Sequence, residues 1–307
     1  MEQFIQQLLN GLFLGSIYAL IALGYTMVYG VLRFINFAHG DIFMLGAYTG
    51  LYLSKALSPL LAVLPWPFGI ALVLLLSMLL CAGLGIAIEF LAYRPLRDKP
   101  RLNVLITAIG VSLLIEYTAQ LFFGATQRPF PTLIPAGNVG GIGALNVTQT
   151  QLIVLITALA LMFGLRQVVM NTRMGLAMRA LSLNPTASAL MGVNNSVVIS
   201  FTFGLGSALA AAGGILYASL YPSIEPFMGI LPGLKAFVAA VLGGIGNIPG
   251  AALGGLIIGI TETLVAGYSQ NIGIPSGYRD AVAFVILILI LLFKPSGLLG
   301  KVEREKV

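Results

Sequence analysis

Of the chain's 307 residues, 58% are hydrophobic and only 8% charged. Soluble domains carry about 25% charged residues, so this chain cannot cover a water-facing surface and the bilayer is its solvent. The net charge of +6, from 16 Lys and Arg against 10 Asp and Glu, gathers in a few short loops as the positive-inside bias produces, which removes the case for a nucleic-acid partner; the single cysteine, Cys81, excludes an intrachain disulfide.

A spanning helix needs about 20 apolar residues. Such runs predict spans at 8–30, 40–57, 68–92, 102–123, 151–170, 196–220, 231–244, 250–268 and 279–293. The first opens MEQFIQQLLNGLFLGSIYAL, with no basic residues ahead of it, and continues past signal-peptide length. It reads as the start of a first span, not as a cleaved signal. Spanning strands are excluded, because the runs are too long and lack alternation. The expected class is an all-α polytopic integral membrane protein of about eight or nine spans, a single membrane domain over 1–307.

Short loops set the orientation. YRPLRDKPR after the third span holds Arg94, Arg97, Lys99 and Arg101. Arg166, Arg173 and Arg179 follow at the end of the fifth span, and the tail holds Lys294, Lys301, Arg304 and Lys306. The loop 124–150 carries only Arg128. The basic segments are expected in the cytoplasm, with the C-terminus, and the N-terminus outside.

Two stretches break the helical pattern inside apolar sequence. One is RFINFAHGD, Arg33–Asp41; the other is LGGIGNIPG, Leu242–Gly250. Irregular backbone at membrane depth survives only where protein buries it or a cavity borders it. Paired interruptions in two halves are the mark of an internally repeated transporter with re-entrant or broken helices and a solute path at the breaks. The plainer reading of each is a loop between spans. Small residues also recur at four-residue spacing: Gly250 with Gly254, Gly255 with Gly259, and Gly206 with Ala210 and Gly214. Such faces let helices approach closely.

Residues for catalysis are scarce. His39 is the one histidine, and with one cysteine it cannot build a structural zinc site. A Ser-His-Asp reading would rest on His39 and Asp41, with no G-x-S-x-G turn. No phosphate-binding loop is present: GLLGKV at Gly297–Val302 lacks the glycine spacing and the hydroxyl residue that holds magnesium. The chain reads as a non-enzyme with no cofactor, and any ATP chemistry must come from another polypeptide.

The segment 171–195 is too polar to span. Within RMGLAMRALSLNPTASALMGVNN, Asn184 suits an N-cap, Pro185 the first helical turn, and Gly192 a left-handed stop. One brief capped helix, Thr186–Met191, is predicted in a cytoplasmic loop. From the residues alone this is either a surface helix between spans or a docking element.

Here a resemblance enters. Thr186-Ala187-Ser188-x-x-x-Gly192 is similar to the E-A-A-x-x-x-G loop of ABC importer permeases, with threonine in place of the glutamate. GYTMVYGVLRFINFAHGDIFMLGAY (24–48), IEFLAYRP (88–95), KAFVAAVLGGIGNIPGAALGGLIIGITE (235–262) and FKPSGLLG (293–300) resemble the shorter permease of high-affinity leucine/isoleucine/valine importers, over essentially the whole chain. The resemblance implies a bacterial inner-membrane subunit paired with a longer paralogous permease. It also implies two cytoplasmic ABC ATPases and a periplasmic solute-binding protein that delivers the amino acid. By the same resemblance, Asn184, Pro185, Thr186, Ala187, Ser188 and Gly192 would transmit motion from the ATPases.

A solute path would use Asn36, His39 and Asp41 at the first break and Gly243, Gly244 and Asn247 at the second. Asp41 also suits an N-terminal cap on the following helix. Glu89 reads as an interface partner of Arg94, and Glu116 and Glu262 as interhelical contacts. The solute is expected to be a branched-chain amino acid, with urea, short amides or other amino acids as alternatives. A stand-alone secondary transporter or channel, and a membrane scaffold, are the readings from other classes.

Overall fold

The computed structural model describes residues 2–32, 34–97, 99–135, 137, 146–273 and 275–300. Arg33 of the first predicted break and the predicted basic tail residues Lys301, Arg304 and Lys306 lie outside the described residues. The described residues are mostly helical: α1 (Glu2–Leu32), α2 (His39–Ala56), α3 (Ser58–Val63), α4 (Trp66–Ile88), α5 (Arg101–Phe123), α6 (Gln149–Asn171), α7 (Arg173–Leu183), α8 (Pro185–Leu190), α9 (Asn195–Leu220), α10 (Ile230–Gly243), α11 (Ile248–Ile272) and α12 (Arg279–Phe293). A single turn of π-helix, Glu89–Tyr93, prolongs α4. Among the described residues, strand is confined to an antiparallel ladder of β1 (Arg128–Pro129) on β2 (Ser223–Ile224).

Each of the nine predicted spans falls on a helix. Among the described residues, six helices are long and apolar enough to cross a membrane: α1, α4 with its π turn, α5, α6, α9 and α11. The other three, α2, α10 and α12, are shorter. At 1.5 Å per residue, α10 is about 21 Å long, less than a hydrocarbon core of about 30 Å.

The long helices form a bundle around α1, which is apolar all round and buried from Phe13 to Val28. Lipid offers no hydrophobic drive for helices to associate, so close packing and interhelical polar contacts must hold them. Small residues provide the closeness. Gly11 and Gly15 of α1 meet α11 so tightly that a Cβ on Gly15 would lie 2.8 Å from Leu256 Cα and one on Gly11 2.6 Å from Ile260 Cα. Gly255 and Gly259 face Ala19 and Gly15 across the same seam, while Gly250 and Gly254 face α10 and Gly214 faces α2. Gly206 meets Gly24 of α1, so the spaced small residues of the sequence line four distinct helix seams.

Two halves pack alike. α1 rests on α11 as α9 rests on α4; α1 meets α10 as α9 meets α2; α10 touches α11 and α12 as α2 touches α4 and α5. α1 ends, and α9 begins, near Arg94 and Arg97, since Asn36 bonds Tyr93 and Ser196 bonds Arg97. The halves therefore run in opposite senses, an internal repeat of inverted topology. Arg94, Arg97, Lys99, Arg173 and Arg179 gather at one end of the bundle, its basic end.

The first break is re-entrant. The His39 ring, at the start of α2, lies against Gly24 and Ile21, about two to three turns back from the end of α1. Its structural counterpart is the stretch ahead of α10, where Gly229 and Gly233 pack on Gly40. The sequence pattern pairs the first break with 242–250 instead. That turn lies beside Gly30, near the end of α1, at the basic end.

Candidate functional site

Four successive helix starts carry side-chain caps. At the end of the bundle away from the basic residues, Thr148 and Gln151 form a reciprocal capping box on α6. The other three follow the end of α6, at the basic end. Thr172 caps α7. Asn184 Oδ1 accepts from Ala187 N–H at 3.0 Å to cap α8, and Asn194 Oδ1 accepts from Val197 N–H at 3.2 Å to cap α9. Pro185 occupies the first turn of α8. The far end of α8 closes with Gly192 at φ +86°: Gly192 N–H donates to Ala189 O and Val193 N–H to Ser188 O, each at 3.0 Å. This pair is a Schellman stop, which glycine enters without a Cβ penalty. The predicted helix Thr186–Met191 is observed one residue earlier, as Pro185–Leu190.

The capped helix is tied to α9. Ser188 Oγ donates to Asn195 Oδ1 at 3.0 Å, and Asn195 Nδ2 donates to Pro185 O at 2.9 Å. What sequence reasoning passed over is its outer face. Leu183, Leu190 and Met191 are 82%, 84% and 86% exposed. Apolar tips this bare on a polar loop mark a contact surface. Their sequence signal was present, since they are the apolar members of a segment too polar to span. The helix α7, also missed, packs on α1, α6 and α9 at the bundle end.

The candidates at the first break diverge. Asn36 Oδ1 accepts from Tyr93 OH at 2.6 Å and is buried. His39 stacks edge-on against Tyr25, with ring centroids 4.5 Å apart, and its Nε2 lies 3.2 Å from Ile21 O. A carbonyl only accepts, so this nitrogen bears the proton and His39 serves as a packed core donor. Asp41 points elsewhere. It accepts from Ser112 Oγ of α5 at 2.6 Å and, with Glu116, borders a cavity of about 90 Å³ closed by Tyr25, Gly40, Gly229 and Gly233. Asp41 lies in the first turn of α2, as expected of a carboxylate at a helix N-terminus, but makes no side-chain cap bond there. Ala38 holds the N-cap position of α2 without any side-chain cap, because the carboxylate is drawn to Ser112.

Gly243, Gly244 and Asn247 do not join this cluster. They border neither that cavity nor the larger one at the opposite end of the bundle. Gly244 and Gly246 turn the chain with φ +100° and +91°. Asn247 Oδ1 accepts from Gly250 N–H at 3.1 Å, capping α11, and its Nδ2 donates to Leu299 O at 2.7 Å. Leu298 N–H and Leu299 N–H bond Leu242 O and Gly243 O at 2.7 and 3.0 Å. The turn after α12 thus clasps the turn before α11.

The larger cavity, about 640 Å³, opens at the end opposite the basic one. Its lining is mixed: Gln7, Gln127, Gln151 and Glu225 are polar and Phe13, Leu14 and Leu231 apolar. A charge network forms part of its wall, through Tyr18, Glu262 and Arg279. Lys235 of α10, 3% exposed, donates to Glu262 Oε1 at 2.7 Å and pairs with Asp280 Oδ1 at 2.5 Å. Tyr18 OH donates to Glu262 Oε2 at 2.9 Å, and Arg279 Nε stands 3.9 Å from Glu262. Glu262 is therefore an interhelical contact, as its sequence setting predicts. Lys235 was overlooked, although a lone lysine within an apolar run is a signal in its own right.

Comparison with known proteins places this geometry. Residues 7–291 match the family described as the permease component of branched-chain amino acid transport systems. The chain is 41% identical to the high-affinity branched-chain amino acid permease BraD of Pseudomonas aeruginosa, over 99% of this chain and 98% of that one. It is 41% identical to the permease LivH of Escherichia coli over the same shares. It is 27% identical to a probable permease LivM of Methanocaldococcus jannaschii, over 87% of this chain and 79% of that one. No solved structure matches the chain.

Proposed function

The chain belongs to the family of permease components of branched-chain amino acid transport systems, and from that premise we propose that it is one of two membrane-spanning subunits of an ATP-driven importer in the bacterial inner membrane. The observation that carries this reading is α8. A six-residue helix capped at both ends, with Leu183, Leu190 and Met191 bare around it, is a rigid apolar knob. It suits a cleft in a partner that moves as a rigid body. With no phosphate-binding loop of its own, the chain takes its energy from two ABC ATPases seated on these knobs, one on this subunit and one on a paralogous permease.

The orientation follows from charge. Arg94, Arg97, Lys99, Arg173 and Arg179 put the basic end in the cytoplasm. The N-terminus and the 640 Å³ cavity then face the periplasm, where a solute-binding protein docks and releases its cargo. A cavity lined by charged groups of both signs, Glu225, Glu262 and Arg279, beside apolar Phe13, Leu14 and Leu231 suits a zwitterion with an aliphatic side chain. Such a lining favours leucine, isoleucine and valine over urea or short amides, which have no aliphatic group to bury. Asp41 and Glu116, at the mid-bundle cavity between the two broken helices, lie where solute would pass next.

The test is uptake in cells. Deleting the gene should lower uptake of labelled leucine, with unlabelled isoleucine and valine competing in the wild type and urea not. Undiminished leucine uptake, together with a loss of urea or amide uptake, would overturn the solute assignment.

A further inference from the structure

The hydrogen bonds trace a continuous connection from α8 to the first break. We propose that Glu89, with the π turn it begins, is the positioning element that carries movement of α8 to the re-entrant segment ahead of α2, and so couples ATPase motion to the solute path. The proposal rests on the reading of α8 as the seat of an ATPase.

The connection has three links. The first is Asn195, which bonds both Ser188 and Pro185 O of α8 and is the first residue of α9. The second is one turn of α9. Ser196 Oγ accepts from Arg97 Nη1 at 3.0 Å, and Ser200 Oγ donates to Glu89 Oε2 at 2.6 Å while accepting from Arg94 Nη2 at 2.8 Å. Both arginines converge on Glu89: Arg94 Nη2 lies 3.2 Å from Oε2, and Arg97 Nη2 pairs with Oε1. The Glu89 side chain is fully buried beneath them. The third link is at the far end of the π turn. Tyr93 OH donates to Asn36 Oδ1, and the Tyr93 ring packs on Phe34 and Phe203, with centroids 5.2 and 5.5 Å apart. Asn36 and Phe34 belong to the re-entrant segment, three to seven residues from His39 and Asp41.

The π turn supplies the second state that a coupling element needs. It holds one residue more than an α-helical turn, and such turns concentrate at functional sites. Reverting to α geometry would rotate the chain beyond the turn by about 100° and shift it by about 1.5 Å. That rotation would carry Tyr93 away from Asn36 or the arginines away from Glu89. The two ends of the turn cannot both keep their partners in both states. A pull on α9 through Asn195 therefore biases which contact survives, and with it the position of the segment that borders the mid-bundle cavity.

The test uses the whole importer, reconstituted in proteoliposomes with its second permease, ATPases and binding protein, and reads solute moved per ATP hydrolysed. Tyr93→Phe removes one hydroxyl and little volume; Glu89→Gln removes the charge; Glu89→Asp retains it. We expect Tyr93→Phe and Glu89→Gln to keep ATP hydrolysis while solute per ATP falls by between about 5-fold and 150-fold, the range of measured coupling energies, and Glu89→Asp to recover part of the loss. If Glu89→Gln fails to assemble, Tyr93→Phe carries the test. A wild-type complex that moves solute with ATP, beside variants with an unchanged ratio, overturns the relay alone. A wild-type complex with no ATP-dependent uptake overturns the functional reading and the relay with it.

Discussion

At Gly192 the backbone sits at φ +86° with open space around it, so a side chain there would meet no neighbour and only the backbone would object. An L-residue in this conformation costs about 1–2 kcal/mol, and a β-branched one more. Gly192→Val should unseat the end of α8 and abolish ATP-coupled uptake while leaving membrane insertion intact. Gly192→Asn, which tolerates the left-handed region, should retain uptake. Uptake by the valine variant at the wild-type rate would contradict the assignment of α8. Lys235 makes a second case. Lys235→Met would take the buried cation from Glu262 and Asp280 and leave them only the half-exposed Arg279, and breaking a buried pair costs about 3–5 kcal/mol. Thermal unfolding in detergent should show a marked loss for Lys235→Met and a smaller one for the double variant Lys235→Met with Glu262→Met. Additive losses would contradict the network. These two sites differ in how far the sequence revealed them. Asn184, Pro185 and Gly192 act on groups within a few residues of themselves, so their roles were readable. Lys235 acts on Tyr18, Glu262 and Asp280, which only folding brings near, and Asp41 left its expected cap for Ser112 for the same reason.

At the scale of elements, the seam between α1 and α11 is the bundle's most extensive. Gly259→Leu would force a side chain into the backbone of Gly15 and should eliminate monodisperse, folded protein in size-exclusion chromatography. The same enlargement at Gly164 of α6, which has nothing within 4 Å, should be tolerated. Equal yields from the two variants would contradict this packing. The helices themselves were legible because each apolar run exceeds what a loop in lipid can be. The pairing of breaks was not. Glycine and asparagine at 242–250 signal an interruption equally well whether it falls at mid-depth or at the bundle end, and only the contact of Gly40 with Gly229 and Gly233 separates the cases. α7 escaped notice because an eleven-residue helix lying at the surface needs no long apolar run.

For the molecule as a whole, inverted halves give α2 and α10 meeting starts within the bundle, and they divide its polar interior into a mid-bundle cavity and a wider one at the far end. The basic end bears the capped α8 with its bare apolar tips, and buried polar links run inward from it. On the proposed reading, the cavities are the route, α8 is the handle and the energy comes from separate ATPases. The most direct measurement is therefore uptake of labelled leucine into proteoliposomes holding either this chain alone or the complete complex, each with and without enclosed ATP and with binding protein outside. Uptake only in the complete complex, and only with ATP, is the predicted result. Uptake by the chain alone, unaffected by ATP, would contradict the account.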